Sequence, residues 1–330
     1  MARILVTGAT GFIGSHAVRR LADAGHAIVA TGRDRARLAS IDTRAHAVVA
    51  DLTQDPLEPL LHACDTIVHC AALSSPWGRT EEFHSANVLA TERLLEAARR
   101  EGVSRFIHLG SPSIYFRFRD QFDVGEEFQP PRRWITDYAR SKWESECRVR
   151  AASGRDLQTL ILRPRAVFGE GDRAILPRLL AVAAGGRFPL VGGGQALIDV
   201  THIDNLVELI ATCVSADLPG NARAYNVGNG EPVRVRHLLE TLFSSLDREV
   251  RLINVPRAAL LALAALSERF ARLRPGRPEP RLTRYGIGVL GYSQTLNISR
   301  ARRELHYRPQ MGVADGIARY ARWWKAHVHP

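Results

Sequence analysis

The sequence has few of the features that mark secreted, metal-binding or membrane-spanning proteins. Its four cysteines are scattered without CxxC spacing and predict reduced thiols rather than a disulfide framework. Its twelve histidines show neither HExxH nor paired-ligand spacing, so no metal site is expected. The longest apolar run, residues 258–266, is too short to span a bilayer. The first residues reach a glycine turn after one short strand, so we expect no signal peptide and a cytoplasmic protein.

Lysine is the residue type that the chain lacks most clearly. Of 45 lysines and arginines, only Lys142 and Lys325 are lysines. The net charge of +11 is therefore carried almost entirely by arginine, spread along the chain rather than gathered in a tail. This distribution favours a generally basic surface, and no nucleic-acid partner is expected. A lysine kept against such a bias indicates a position that requires lysine.

Apolar strands alternate with helical patterns over the first half of the 330-residue chain. Continuous apolar strands separated by helices predict a parallel sheet that is buried on both faces. The expected fold class is α/β, a doubly wound parallel Rossmann sheet with a smaller mixed α/β C-terminal substrate domain. We place the Rossmann domain at 1–170, with returning segments near 196–228, and the substrate domain mainly at 171–330. The predicted strands cover residues 3–7, 27–31, 46–50, 66–72, 105–111 and 158–164.

A glycine-rich turn follows the first predicted strand. The stretch VTGATGFIG places Gly8, Gly11 and Gly14 between that strand and the first helix. Glycine permits a sharp turn and the close approach of a pyrophosphate, while the helix N-terminus favours the anion. Because the trio lies in the first strand–turn–helix unit, it predicts a dinucleotide site.

The residues after the second strand bear on the choice of cofactor. NAD-binding proteins place a carboxylate there for the ribose hydroxyls, whereas this chain has Gly32 followed by Arg33. A small residue and an arginine suit the 2′-phosphate of NADP, so NADP(H) is favoured. Asp34, shifted by two residues, keeps NAD(H) open. Asp51, after the third strand, is placed to meet the adenine ring or else is an ordinary loop or helix-cap residue.

Tyr138 and Lys142 lie four residues apart in a predicted helix and therefore share one face. A free phenol is too weak an acid to lose its proton at neutral pH, and a nearby ammonium lowers its pKa. Lysine does this as a compact charge that also reaches a ribose, for which a planar guanidinium is less suited. The pair predicts proton-transfer chemistry, and an ordinary helix-surface pair is the alternative.

A ketone reductase also needs a donor that holds the carbonyl oxygen. Ser111 closes the fifth predicted strand and is the favoured residue, with Ser113 second. For either serine, the alternative is a turn residue that bonds its own backbone.

Together these residues resemble the extended short-chain dehydrogenase/reductases of the NAD(P)-dependent epimerase/dehydratase superfamily. TGATGFIG, DYARSK, LRPRAVFGEGD, VTHIDN and YNVGNGEP occur in that family's order and spacing, over nearly the whole chain. The resemblance implies a catalytic Ser111, Tyr138 and Lys142, a second domain that closes over the substrate, and an Asn87 that holds the site together. The expected cofactor contacts are Gly8, Gly11, Phe12, Ile13, Gly14, Arg33, Asp51, Leu52, Ala71, Asn87, Tyr138, Lys142 and Pro164.

Within the family, the chain is most similar to the 3β-hydroxysteroid dehydrogenases and the bacterial 2-alkyl-3-oxoalkanoate reductases. AALSSPWG, GSPSIY and RPEPRLTR carry this similarity. Sugar-nucleotide epimerases have an asparagine where this chain has Ala166, which removes a polar contact to the sugar nucleotide. Substrate contacts are expected at Trp77, Ser113, Tyr115 and Ala166, although Trp77 and Tyr115 equally suit plain packing.

The favoured function is an NADP(H)-dependent oxidoreductase that interconverts a ketone and a secondary alcohol on a hydrophobic, steroid-like or long-chain β-hydroxy/β-keto substrate. A sugar-nucleotide epimerase or dehydratase is the first alternative, and a non-catalytic cofactor-binding or RNA-associated protein is the second. Ala166 weighs against the first, and the intact Ser, Tyr and Lys weigh against the second. The apolar helix predicted at 257–273 lines a substrate site, rests on a membrane or simply faces the core. Peripheral membrane contact and a homodimer therefore stay open.

Overall fold

Strands and helices alternate along the computed structural model, which describes residues 1–217, Gly220 and residues 222–328. The strands are β1 Arg3–Thr7, β2 Ala27–Gly32, β3 His46–Val49, β4 Thr66–His69, β5 Arg105–Leu109, β6 Gln121–Val124, β7 Gln158–Pro164, β8 Val167–Phe168, β9 Arg187–Val191, β10 Leu197–Ile198, β11 Thr201–His202, β12 Arg223–Val227, β13 Val233–Arg234, β14 Arg251–Val255 and β15 Gln294–Leu296. The helices are α1 Phe12–Asp23, α2 Arg35–Ala39, α3 Glu58–Leu61, α4 Thr80–Phe83, α5 Ala90–Arg100, α6 Asp137–Ala152, α7 Leu176–Val182, α8 Ile203–Ser215, α9 Val235–Ser245, α10 Arg257–Leu273, α11 Arg284–Gly291, α12 Ser299–Glu304 and α13 Val313–His327. A π-helical turn covers His84–Leu89, and 3-10 turns cover Pro112–Tyr115 and Gly192–Gly194.

Seven parallel strands form the central sheet. Their spatial order is β3-β2-β1-β4-β5-β7-β12, and each neighbouring pair is parallel. The chain starts in the middle of the sheet and winds outwards in both directions, which confirms the predicted doubly wound Rossmann fold. In such a sheet, ligands bind at the C-terminal ends of the strands.

Strand β1 illustrates how the central sheet is covered on both faces. Ile4 and Val6 are fully buried in a core with residues of α1 and α8. Leu5 is fully buried in a second core with residues of α3 and α5. A strand that is apolar on both faces has to be covered on both, and the flanking helices provide that cover.

The C-terminal part adds a smaller mixed sheet and a further core, as the sequence predicted. The sheet has the order β13-β10-β15-β6, in which β13 and β10 are antiparallel and the other pairs are parallel. The core is built from α7, α9 and α13. Between these elements the chain returns to the first sheet, where α8 packs along α1 and β12 pairs with β7. The domain boundaries given above stay a prediction.

Two predicted strands end earlier than expected. The strands expected at 66–72 and 105–111 stop at His69 and Leu109. The chain then leaves the sheet, because Ala71 N donates to Thr7 Oγ1 at 3.3 Å and Ser111 begins a 3-10 turn. Strand β6 was not predicted, because its partner β15 is remote in sequence and no local pattern indicates the pairing.

A buried ion pair fixes α6 against β7. The side chains of Glu146 on α6 and Arg163 on β7 are completely buried, with Arg163 Nη2 2.5 Å from Glu146 Oε2. The guanidinium also donates to the Tyr115 hydroxyl and to the backbone oxygen of Glu126. Tyr115 in turn donates to Asn226 Oδ1 at 2.9 Å. These partners offset much of the cost of burying two charges.

Helix α10 has the bounds that the sequence predicted, Arg257–Leu273. Its Leu260 side chain is buried, whereas Leu263, Leu266 and Phe270 are each more than half exposed. The helix therefore faces the protein on one side and leaves an apolar ridge on the other. Within the described residues, no helix combines the length and the hydropathy that a membrane crossing needs.

Glu146→Gln tests how strongly the fold depends on the buried ion pair. The substitution leaves the Arg163 charge buried without a counter-charge, so the free energy of unfolding should fall by about 3–5 kcal/mol. The matched control is Glu144→Gln on the same helix, where the carboxylate pairs with Arg140 near the surface and the expected loss is about 0.5 kcal/mol. Urea denaturation measures both variants, and equal losses would contradict the special role of the buried pair.

Candidate active site

The glycine turn between β1 and α1 leaves no room for side chains at two positions. Gly8 has a φ of +64°, and a Cβ added there would lie 2.7 Å from Ala71 N. A Cβ on Gly14 would lie 2.2 Å from Gly8 O. Glycine is therefore required if β1, α1 and the loop after β4 are to approach one another this closely.

The N-terminus of α1 is open to an anion. Gly11 is the N-cap residue, it contributes no side-chain cap, and the first turn contains no acidic residue. At such a helix end, the backbone N–H groups of Phe12, Ile13 and Gly14 are available to donate hydrogen bonds to the diphosphate of a dinucleotide. A cavity of about 730 Å³ adjoins the turn, and its lining includes Arg19, Arg37 and Arg173. The turn thus fits the phosphates of a dinucleotide.

The loop after β2 holds one acidic residue in a helix cap and leaves one arginine unpaired. Asp34 Oδ1 accepts from Arg37 N at 3.0 Å, and the carboxylate also pairs with Arg37 Nε at 3.2 Å. Asp51 accepts from the N and Oγ1 atoms of Thr53, which lowers the pKa of its carboxyl, and the charge of Arg33 lowers it further. Asp51 thus has the local turn role that the sequence left open. Arg33 is exposed and has no ion pair with any described residue.

The other residues expected to contact the cofactor lie along the C-terminal edge of the sheet. Leu52 follows β3 and is buried, with its backbone oxygen accepting from Arg93 Nη1 at 2.6 Å. Ala71 follows β4 and lies against Gly8. Pro164 ends β7. This edge is where a doubly wound sheet binds its ligand.

Lys142 is buried at this edge, with 2% of its surface exposed. Its Nζ atom donates to the backbone oxygen of Leu109, the last residue of β5, at 2.6 Å. Burial lowers the pKa of Lys142 to about 8, whereas the nearby Glu146 carboxylate raises it. The lysine is therefore charged at neutral pH and loses its proton more readily than a free lysine.

Two buried histidines lie close to Lys142. The rings of His69 and His108 are 5.4 Å apart, and His69 shares hydrogen bonds with the hydroxyls of Thr7 and Thr91 at 2.7 and 3.0 Å. Burial, and next the charge of Lys142, lower the pKa of His69 to about 3 and the pKa of His108 well below its ordinary value. Both histidines are neutral, so the positive charge at this place is that of Lys142.

The structure brings together the elements that carry Tyr138, Lys142 and Ser111. Tyr138 lies one turn before Lys142 on α6, is half-buried, and has no hydrogen bond from its hydroxyl to a described residue. Helix α6 packs against the 3-10 turn that Ser111 begins. The Ser111 Oγ atom donates to Ser113 Oγ at 2.9 Å and accepts from Ser113 N at 3.2 Å. In this state Ser111 is a turn serine, while the tyrosine hydroxyl is free for a ligand.

Asn87 ties the loop after β4 to helix α6. It lies in the π-helical turn and is 1% exposed. Its Nδ2 atom donates to Ser141 Oγ at 2.9 Å and to Leu73 O at 3.2 Å, and its Oδ1 atom accepts from Leu73 N at 2.7 Å. Because Ser141 lies next to Lys142, this amide helps to fix the height of α6 above the sheet. π-helical turns are frequent at functional sites.

Tyr115 has the packing role, one of the two roles that the sequence left open for it. It is 3% exposed, its ring lies 5.2 Å from the Arg163 guanidinium, and its hydroxyl donates to Asn226. The 3-10 turn directs the side chain into the core, where it supports the buried ion pair. Ser113 is likewise buried, against Ser111. Trp77 stays partly exposed, and its Nε1 atom donates to Arg277 O at 2.8 Å, which links it to the loop after α10.

Ala166 has an unfavourable backbone conformation. Its φ of +44° lies in the left-handed region, which glycine and asparagine adopt more readily than alanine. Asparagine would therefore suit the backbone better than the residue that is present. With alanine there, the place that an amide would occupy stays apolar.

The sequence did not predict an aromatic group around Tyr285 or the burial of Arg165. The Phe116 ring lies 5.3 Å from Phe118 and 5.2 Å from Tyr285. Burial raises the pKa of Tyr285 to about 12, and both Arg165 and Tyr138 are close enough to affect that pKa. Arg165 is 5% exposed. In a chain whose basic residues are nearly all arginine, nothing in the sequence distinguishes Arg165 from the others.

Comparison with known proteins points to a family and to a type of chemistry. A family profile described as "NAD dependent epimerase/dehydratase family" matches residues 4–228. The chain is 33% identical to 2-alkyl-3-oxoalkanoate reductase of Stenotrophomonas maltophilia (strain K279a), with 96% of this chain and 98% of that protein covered. It is 31% identical to 4-hydroxy-2-methyl-3-oxo-4-farnesyl-3,4-dihydroquinoline-1-oxide ketoreductase of Stigmatella aurantiaca, covering 96% and 94%. It is 25% identical to sterol-4-alpha-carboxylate 3-dehydrogenase, decarboxylating, of Mus musculus, covering 95% and 88%.

The structural comparison agrees on the fold. MoeE5 in complex with UDP-glucuronic acid and NAD superimposes with a TM-score of 0.79 and 25% identity, and the match covers 98% of this chain and 99% of that chain. The sequence relatives are named as reductases and dehydrogenases, whereas this structural neighbour holds a sugar nucleotide. The comparisons therefore agree on the family and the fold but not on the substrate.

The scarcity of lysine makes the ionisation of Lys142 directly observable. Protein labelled with [ε-13C]lysine should give two side-chain resonances in an NMR spectrum, one for Lys142 and one for Lys325. The Lys142 resonance should titrate at a pH of about 8 and be missing from Lys142→Met, while Lys325→Arg assigns the other. A Lys142 resonance that titrates at the free-lysine pKa of about 10.4 would contradict the buried environment.

The lowered pKa of Lys142 also fixes the sign of a stability change. Between the folded-state pKa of about 8 and the ordinary value of 10.5, the unfolded chain binds more protons, so this group favours the folded state increasingly as the pH rises. Relative to Lys142→Met, the wild-type protein should gain stability on the order of 3 kcal/mol across that window and nothing below it. Urea denaturation at several pH values checks this expectation.

Proposed function

This chain belongs to the NAD dependent epimerase/dehydratase family, and from that membership together with its own site residues we propose that it is an NADP(H)-dependent ketone/alcohol oxidoreductase with a hydrophobic substrate. It is an enzyme that acts on hydroxyl or keto groups, as its relatives do. The proposal adds the cofactor and the substrate class, a steroid-like or long-chain β-hydroxy/β-keto compound. The observation that carries it is the buried ammonium of Lys142, held by Leu109 one helical turn from the free hydroxyl of Tyr138.

The residues of the site divide the work of the reaction. When bound, the nicotinamide supplies or accepts the hydride. Tyr138 exchanges a proton between its hydroxyl and the substrate oxygen. Lys142 supplies a buried positive charge one helical turn from Tyr138 and is placed to bind the ribose of the cofactor. Ser111 donates to the substrate oxygen, and this bond replaces its present bond to Ser113 Oγ.

The surroundings of Tyr138 support a hydrophobic substrate. The Tyr285 ring, which packs edge-on against the buried Phe116 ring, offers apolar surface on the side of Tyr138. Ala166 provides no amide for a sugar hydroxyl. The named substrates of the relatives include an alkanoate, a farnesylated quinoline and a sterol, all with large apolar parts. A sugar-nucleotide epimerase is the second candidate, because a solved structure of similar fold holds UDP-glucuronic acid.

The loop after β2 supports NADP(H) over NAD(H). The Asp34 carboxylate is engaged in the cap of α2, where it bonds Arg37 N, and so does not compete for a ribose. Arg33 is exposed and unpaired among the described residues, and a 2′-phosphate would provide its counter-charge. The solved neighbour contains NAD, so the preference for NADP(H) is supported only by this chain's own residues.

Tyr138→Phe tests the reaction. With NADP and 3-hydroxy compounds of increasing chain length, kcat should fall by about 10²–10⁴-fold because the proton carrier is lost, while NADP affinity is kept. Tyr307→Phe is the matched control, since that hydroxyl bonds Gly228 O and takes no part in the site. Lys142→Arg keeps the charge but should also lose activity, because the guanidinium is larger and planar. Epimerisation of UDP-sugars without net change of cofactor would instead establish the second candidate.

Arg33→Ala tests the cofactor preference. The wild-type protein should bind NADP several-fold more tightly than NAD, and the variant should lose this preference with its NAD affinity nearly unchanged. Arg35→Ala on the next helix removes another exposed arginine and serves as the control. Equal affinities of the wild-type protein for the two cofactors, measured by calorimetry, would refute the assignment.

A further inference from the structure

We propose that Arg165 binds a carboxylate of the substrate, so that the enzyme acts on hydrophobic β-hydroxy or β-keto acids. This inference rests on the proposed function, because it names a group carried by the substrate of the same site. It assigns the anion to one residue and thereby separates acids from neutral ketones.

Two buried arginines at the end of β7 differ in their hydrogen-bond partners. Arg163 is fully buried, and its guanidinium bonds Glu146, Tyr115 and Glu126. Arg165, two residues later, is 5% exposed, yet its guanidinium forms no hydrogen bond or ion pair with any described residue. Its Nε atom is buried without a partner. An unpaired buried charge is costly, so a counter-charge from a ligand would stabilise this arrangement.

The backbone holds Arg165 in place. Its N–H donates to Val227 O at 3.0 Å, and its carbonyl oxygen accepts from Thr201 Oγ1 at 2.7 Å. The next residue, Ala166, has the left-handed conformation described above. These two hydrogen bonds fix the backbone at Arg165.

The nearby carboxylate does not neutralise Arg165. Asp199 is close enough for the arginine charge to lower its pKa, although burial raises that pKa more strongly. Its Oδ2 atom accepts from Leu296 N at 2.6 Å, and no ion pair with Arg165 forms. Asp199 therefore serves the backbone of β15 and leaves the guanidinium free.

The position of Arg165 suits an acid group that is one carbon away from the reacting carbon. Arg165 directly follows Pro164, the last residue of β7, and β7 pairs with β5 in the register Leu162–Leu109, so Arg165 leaves the sheet beside the turn that Ser111 begins. In a β-hydroxy acid, a single carbon separates the carboxylate from the carbon that bears the hydroxyl. The two groups that such a substrate presents are an oxygen for Tyr138 and a planar anion, which a guanidinium binds through two parallel hydrogen bonds.

Binding to the protein saturated with NADPH tests the inference without turnover. An alcohol and a reduced cofactor cannot react, so calorimetry with 3-hydroxytetradecanoate and with its methyl ester reports affinity alone. A 3β-hydroxysteroid 4-carboxylic acid and its methyl ester form a second pair. The acid of at least one pair should bind about 10²-fold more tightly than the ester. Equal affinities of acid and ester in both pairs would overturn the inference.

Substitutions assign the preference to the residue. Arg165→Met should weaken binding of the acid by about 10²-fold and leave the ester within about 3-fold. Arg165→Lys keeps the charge without the planar fork and should retain part of the preference. Arg274→Met removes an exposed arginine of the same part of the chain and should change neither affinity. If Arg165→Met does not fold, as judged by its NADPH affinity, the lysine variant and the wild-type ratio decide.

Turnover of the same compounds with NADP separates this inference from the proposed function. Equal turnover and binding of acid and ester would leave the oxidoreductase proposal standing and remove the role of Arg165. If the acid binds through Arg165 but is not turned over with either cofactor, the role of Arg165 stands and the oxidoreductase proposal falls. If UDP binds to the site and loses affinity in Arg165→Met, the anion is a nucleotide phosphate and the inference is wrong. If no compound binds or reacts, both proposals fail.

Discussion

The structure around the candidate site depends on an ammonium group held inside the protein by a backbone carbonyl. Lys142 gains one hydrogen bond from Leu109 O and loses nearly all contact with water. Such an arrangement is tolerable only if α6 stays at a fixed height above the sheet. Two contacts fix it: the Glu146–Arg163 ion pair one turn further along the helix, and the Asn87 amide that bonds Ser141. These two buried polar contacts thus keep the ammonium group of Lys142 in position.

The end of strand β7 combines structure and chemistry within a few residues. Arg163 uses its guanidinium to fasten the strand to α6, and its partners leave it no capacity for a ligand. Arg165 shares the burial but not the partners. Ala166 then turns the backbone through a conformation that suits alanine poorly. The residue that holds the strand in place, Arg163, and the residue proposed to bind the substrate, Arg165, are thus only two positions apart. A change in the backbone at one of them is expected to shift the other.

Local patterns predicted the part of the protein that local physics determines. The spacing of Tyr138 and Lys142 on one helix, and the need for glycine at Gly8 and Gly14, follow from helix geometry and from backbone sterics. The sequence could not decide between a pocket wall and core packing for Tyr115, because its partner Asn226 lies on β12, a strand added from far along the chain. The open guanidinium of Arg165 is likewise a property of what surrounds it, namely Asp199 turned towards β15. When a residue's role depends on neighbours that are distant in sequence, the local sequence pattern does not reveal that role.

The burial of Lys142 has a practical consequence for attaching this protein to other molecules. Amine-directed reagents need an accessible, unprotonated nitrogen, and Lys142 is enclosed. Lys325 on α13 is 44% exposed and pairs with Asp247, and Met1 is exposed at the amino terminus. An amine-directed dye, cross-linker or chip surface would therefore attach at two known places, Lys325 and the amino group of Met1, and leave Lys142 unmodified.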